Sequence, residues 1–272
     1  MLLLQQMVIF FLIMLLGYIC RKVGVFGENT GKMICGIVIN IGNPALIIAS
    51  GMNPETLENK AALLVTLAVA LIFFAIMFVI AELIPSLLRP DREDEAPSQV
   101  MTLFANIGFM GYPLLDAMYG GEAVIHAAIF NLLYSVLIYT YGINRMKTSG
   151  QREKLNGKQL MNVGVISCLI AVTLYISNLP VPMVFKDTAT RIGAVTGPLS
   201  MLVIGDSLAQ IRLKDLFTDV LLLLFSVVKL LLMPALLLWG LRFFITDPMF
   251  LGVCLVMTAA PLGSMTVMLA QQ

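Results

Sequence analysis

Charge is scarce in this sequence: Lys, Arg, Asp and Glu together make up 12% of its 272 residues, against 59% hydrophobic residues, with a mean hydropathy of +0.94. So little polar surface cannot coat a soluble globule of this length, and the chain is expected to be an integral membrane protein. There is no basic patch for nucleic acid, and a net charge of +1 says nothing about partners. Histidine occurs once, at His126, and no Ser/His/Asp triad, phosphate loop or zinc site can be assembled, so neither an enzyme nor a cofactor is implied. The cysteines Cys20, Cys35, Cys168 and Cys254 lack the paired short spacings of metal or redox motifs and read as buried thiols. The N-terminus has no basic region, and its apolar run continues to Cys20 without a small-residue cleavage site. It therefore reads as a retained first helix rather than a signal peptide.

What the chain has in abundance is long apolar stretches. Runs of about 18 to 25 residues cross about 30 Å of hydrocarbon at 1.5 Å per residue, and they predict nine spans, near 2–20, 32–50, 61–88, 98–118, 122–144, 159–178, 188–210, 216–241 and 248–271. The third exceeds what the bilayer needs, so its end around Pro85 is expected to tilt or emerge. With the N-terminus outside, the inner loops hold Arg21, Lys22, Lys32, Arg89, Arg92, Arg145, Lys147, Arg152, Lys154, Lys158, Arg212 and Lys214. The outer loops hold only Lys60, Lys186, Arg191 and Arg242. That asymmetry sets the expected orientation in the cell membrane. The acidic run from Asp91 to Glu95 reads as a solvated inner loop that also begins the next helix with negative charge.

A basic loop at 146–158 separates five spans (1–145) from four (159–272). Five is odd, so a second copy of the first half must enter the membrane from the opposite side, as an inverted repeat. On this count the second half is one span short. The prolines and glycines support the repeat: an offset of 154 residues carries Pro44 onto Pro198, Gly51 onto Gly205 and Ile107 onto Pro261. Interrupted helices leave backbone polar groups that hydrocarbon penalises by several kcal/mol each unless they face protein, ligand or water. Interruptions at matching positions of two halves point to a transport site.

The fourth span carries Asn106-Ile-Gly108-Phe-Met-Gly111-Tyr-Pro113, in which Pro113 cannot donate to the carbonyl of Phe109 and the two glycines allow close backbone approach. Asn106 adds an amide with two donors and an acceptor. The ninth span carries Ala260-Pro261-Leu-Gly263-Ser264. Half-helices that start at such breaks present free N–H groups and partial positive charge to an anion. The second span's Asn40-Ile-Gly-Asn43-Pro44 and the seventh's Gly197-Pro198 are assigned a structural role, with the asparagines bonding to neighbouring helices. Lys229, in the eighth span, is either a counter-charge or coupling residue or a side chain that snorkels to the interface. Asp206 and Glu82 lie nearer span ends and are expected to be paired or solvated, while Asp116, just past the fourth-span break, is either a proton-exchanging group or, as favoured here, a residue near the outer interface. His126 is expected to be a hydrogen-bond partner, and Asn131 in the fifth span is deep enough to face the break.

The string from Asn106 to Gly120, followed by Phe130-Asn-Leu-Leu-Tyr-Ser135, resembles the fourth and fifth helices of the auxin efflux carrier family, including its bacterial members. Asn40 to Pro44, Lys229 to Pro234 and Ala260 to Gly263 extend the similarity over essentially the whole chain. The resemblance implies an all-α fold of two inverted five-helix repeats, related to bile-acid/sodium symporters. In that fold helices 1, 2, 6 and 7 form a scaffold and often a homodimer interface, and helices 3 to 5 and 8 to 10 form the moving transport domain. Helices 4 and 9 cross at their prolines. The substrate implied is a small organic anion, a carboxylate or auxin-like acid, bound beside the crossing by Asn106, Gly108, Gly111 and Pro113 on one arm, Pro261, Gly263 and Ser264 on the other, and Asn131 nearby. Two departures stand out: the tenth helix is absent, and so is the long central loop of plant hormone exporters, which favours a compact carrier of metabolic carboxylates. The rival expectation is a receptor or assembly subunit of the same fold; a sodium symporter finds no cluster of acidic and amide ligands here.

Overall fold

The computed structural model describes residues 2–52, 60–88, 92–146, 161–177, 179–211 and 220–261. Among them the structure is helical and contains no strand. The helices are α1 (Leu2–Lys22), α2 (Thr30–Gly51), α3 (Lys60–Leu88), α4 (Arg92–Leu103), α5 (Tyr112–Tyr119), α6 (Gly121–Met146), α7 (Val163–Ser177), α8 (Met183–Gln210), α9 (220–241) and α10 (Pro248–Ala259). Six of them, α1, α2, α3, α6, α8 and α9, are long and apolar enough to cross a membrane by length and composition, and α7 and α10 are shorter apolar helices. Large apolar side chains face outward along α1 (Phe11, Leu12, Leu16), α3 (Leu64, Leu71, Val79) and α9 (Leu231, Leu236, Trp239), as lipid permits and water does not.

Proline does less to these helices than its chemistry first implies. Val38–Gly42, Ile107–Gly111 and Val228–Leu232 are each a π turn, and each ends two residues before a proline, Pro44, Pro113 and Pro234. At these turns the N–H of Asn43, Tyr112 and Met233 donates to the carbonyl five residues back, on Val38, Ile107 and Val228. Widening the turn by one residue makes room for a pyrrolidine ring that would otherwise crowd the preceding turn. The helix therefore runs on through the proline. This corrects the expectation that Pro113 marks the break. The chain leaves helical geometry earlier, over Phe104, Ala105 and Asn106, and the expected fourth span is realised as α4, a short extended stretch, a π turn and α5.

Packing between α1 and α8 and between α2 and α7 relies on glycine. A Cβ at Gly205 would run into the carbonyl of Met14, at Gly17 into that of Leu202, and at Gly51 into that of Ala171. Where main chain faces main chain nothing can rotate away, so these positions admit no side chain at all. Next to them, Arg21 forms an ion pair with the buried Asp206 (Nε to Oδ1, 3.7 Å), so Asp206 is paired, as its place near a span end implied.

The rest of the core lies between α3, α6, α10 and the pieces around the break. Phe73, Phe74 and Phe130 meet edge to face, and Thr66 Oγ1 and His126 Nδ1 share a hydrogen bond of 2.6 Å between α3 and α6. At the other end of these helices, Glu82 accepts from Gln99 Nε2 (3.1 Å) and from Tyr141 OH (2.7 Å). Arg145 donates to Gln99 Oε1 and, at 3.0 Å, to Glu95. The acidic run after α3 thus supplies Glu95 to the first turns of α4 and to this network, which locks α3, α4 and α6 together.

Candidate functional site

The break between α4 and α5 is built from Asn106. Its backbone (φ −80°, ψ 70°) turns the chain into the π turn, and its Oδ1 accepts from the N–H of Phe109 as an N-cap. Its own N–H donates to the carbonyl of Pro261 at 2.8 Å. The opening after α4 and the chain just past the end of α10, over 100 residues apart in sequence, are thus hydrogen-bonded to each other. With Oδ1 engaged as a cap, the amide NH2 of Asn106 has no protein partner among the described residues and is a donor available to a guest.

Beside the break lies a cavity of about 370 Å³, within the size range of small-ligand sites. Its walls come from α2 (Asn40, Asn43), the break (Asn106, Gly108), α6 (Asn131, Ser135) and the start of α7 (Asn162, Gly164). Among the described residues, no Lys, Arg, Asp or Glu lines it. Apolar side chains, among them Ile47, Ile107, Phe109 and Ile138, make up most of the remaining wall, so the polar groups it offers are amides, hydroxyls and backbone, which can orient a ligand without the desolvation cost of a buried ion.

Of the residues expected at the site, Asn106, Gly108 and Asn131 line the cavity. Asn131 donates through Nδ2 to Cys168 Sγ at 3.5 Å, and Tyr112 OH lies 3.9 Å from the same sulfur. This ties the break and α6 to α7. Gly111 and Pro113 do not line the cavity: Gly111 is buried in the π turn, and Pro113 packs next to Gly197. Pro261 is held by Asn106, while Gly263 and Ser264 lie outside the described residues. Lys229 does not line the cavity either. It is buried in the π turn of α9, and its Nζ donates to the carbonyl of Thr102, in the last turn of α4, at 2.6 Å.

Asn43 is the residue that sequence reasoning placed elsewhere. Assigned to shaping α2, it stands on the cavity wall 8% exposed. Its Oδ1 has no hydrogen-bond partner, and its Nδ2 sits so close to Gly108 that a Cβ there would approach it to 3.1 Å. Its neighbour Asn40 instead bonds within its own helix, to Gly36 O at 2.9 Å. The available signal was an asparagine held between glycine and proline in mid-span, where an unpaired amide is costly.

A family model described as membrane transport protein matches residues 2–272. The chain belongs to this family of membrane transport proteins. The match bears out the resemblance to auxin efflux carriers that the fourth-span string carried. Among curated proteins, an uncharacterized transporter of Methanothermobacter thermautotrophicus is 26% identical over 138 residues, which is 51% of this chain and 45% of that protein. One of Methanocaldococcus jannaschii is 24% identical over 216 residues, 75% of this chain and 68% of that protein. The chain thus spans less than half the length of the first of these relatives and about two thirds of the second. Family membership and the apolar helices make it a multi-pass membrane protein of a membrane transport family.

Proposed function

We propose that the chain is a secondary carrier that moves a small organic anion, a carboxylate or auxin-like acid, across the cell membrane by elevator-type alternating access. The observation that carries this reading is the bond from Asn106 N–H to Pro261 O beside an uncharged, amide-lined cavity. In this reading the chain past Pro261 is the second arm, so that two broken helices present their ends to one space, as a carrier's midplane site requires. Asn106 and Asn131 orient the anion, Gly108 gives it access to backbone, and Gly263 and Ser264 belong to the opposite arm. Lys229 compensates charge through the end of α4 rather than by touching the anion.

An inverted repeat is supported by which residues touch. Under an approximate two-fold relation, only residues on the axis meet their own equivalents. Gly42 and Thr196 are 154 residues apart, and Thr196 Oγ1 lies 2.6 Å from where a Cβ on Gly42 would stand. Asn106 meets Pro261, whose equivalent at that offset is Ile107. The offset first read from prolines thus recurs as a contact between Gly42 and Thr196, and the Asn106–Pro261 contact falls one residue away from it. In this reading α1, α2, α7 and α8 are the scaffold and the face for a homodimer, and α3–α6, α9 and α10 move against it. In this reading the N-terminus lies outside, and the cavity, which borders the start of α7, lies toward the side of the basic 146–158 loop.

The test is counterflow of labelled malonate and of labelled indole-3-acetate in proteoliposomes. Exchange is expected for at least one of them, falling at least about tenfold in Asn106→Ala, the scale of losing one well-placed hydrogen bond to a charged ligand. Binding without exchange would point to a receptor, and undiminished exchange in the variant would remove Asn106 from the site.

A further inference from the structure

Lys229 is 2% exposed. It belongs to the π turn Val228–Leu232 of α9, and its ammonium donates a hydrogen bond across 127 residues of sequence to the carbonyl of Thr102, 2.6 Å away. That carbonyl lies in the last turn of α4, the helix that stops where the chain opens at Phe104. The last carbonyls of a helix have no helical partners, and together they carry about half a negative charge. Such an end, buried, calls for a cation. The ion pairs among the described residues join Arg21 to Asp206 and Arg145 to Glu95, so the ammonium of Lys229 has no carboxylate partner there. The stem does not snorkel: it carries the charge inward to a protein carbonyl.

We propose that Lys229 is a tethered monovalent cation: its ammonium fills a cation site formed by the carbonyl end of α4, so that the break stays assembled without a free metal ion. Lys229 is a positioning residue, acting on a transported anion only through the placement of α4 and Asn106. This inference deepens the carrier reading by assigning the cation that serves the break. It predicts that a small free cation can replace the ammonium once the side chain is cut back, and that filling the space with an uncharged chain cannot be compensated.

The experiment follows thermal unfolding of the purified full chain in detergent, without any transported substrate, so its outcome is separate from that of the flux assay. Wild type, K229A and K229M are compared in choline chloride and then in sodium, potassium or ammonium chloride at equal ionic strength. K229A is expected to melt about 5–10 °C lower than wild type in choline, as loss of a buried charged hydrogen bond implies for a chain of this size, and to recover at least about half of that shift with one of the small cations. K229M is expected to melt low in every salt, and wild type to be indifferent. A variant that melts like wild type in choline, a K229A loss that no small cation repairs, or a repair that choline matches would each overturn the proposal. If K229A gives no folded protein, K229S is run under the same criteria.

Discussion

Two regions of this molecule use glycine between apolar helices for opposite ends. Along α1–α8 and α2–α7, Gly205, Gly17 and Gly51 bring main chain against main chain until no Cβ fits, and the contact needs no polar side chain. At the break, Gly108 faces the amide of Asn43 instead, and amides from α2, the break, α6 and α7 surround a cavity of about 370 Å³. The sequence letters are alike, and the opposing surface decides what they do. Against a carbonyl, glycine makes a joint with no slack. Against a side chain that can be displaced, it makes space for a guest. The carrier proposed above would require both.

The sharpest way to break this comparison is Gly205→Val. Its Cβ would meet the Met14 carbonyl, so α1 and α8 must separate, at an expected cost of about 3 kcal/mol or more. The measurement is the yield of monodisperse protein and its melting temperature, and a variant within about 2 °C of wild type would show that the joint has slack. Asn43→Leu probes the other region. Removing an oxygen that has no partner is expected to leave the melting temperature unchanged or slightly raised, while exchange in proteoliposomes falls several-fold. A parallel loss of both would make Asn43 a packing residue. Next comes Arg145→Ala, which strips the buried Gln99 of its donor and opens a partly exposed ion pair with Glu95. It is expected to destabilise by about 1–2 kcal/mol, read by thermal melting with exchange retained at permissive temperature. The smallest effect is expected for Gly36→Ala, where a Cβ meets nothing within 4 Å. Helix propensity alone predicts a gain of about 0.5–1 kcal/mol. A loss there would show that a second copy of the chain covers this face of α2, as the homodimer reading requires.

Much of the architecture was legible because hydrophobic length is a direct physical requirement of the bilayer. The observed α2 and α3 start and end within two residues of the ranges read from apolar runs. Where the sequence misled, the cause was local chemistry read without its neighbours. Pro113 was taken as the break because its ring is incompatible with a regular α-turn, yet a π turn absorbs it, and the chain opens seven to nine residues earlier at Phe104–Asn106. Asn43 and Asn40 looked equivalent in the second span. Three residues apart on a widened turn, one is left with an unpaired oxygen at the cavity wall and the other bonds back to Gly36. For Lys229 the sequence left snorkelling and a buried role open, and only the position of Thr102 on a distant helix chose between them.

By itself the sequence determined that this is a helical membrane protein of a transporter family. Apolar length, loop charge and one specific string carry that information residue by residue, independently of how the helices meet. Only the tertiary structure decided which polar groups share a space: Asn106 with Pro261, Asn43 with Gly108, Lys229 with the end of α4. A hydrogen bond is directional and lasts only over a few ångströms, so its partner is set by the packing of segments a hundred residues apart and is written in no single stretch of the chain.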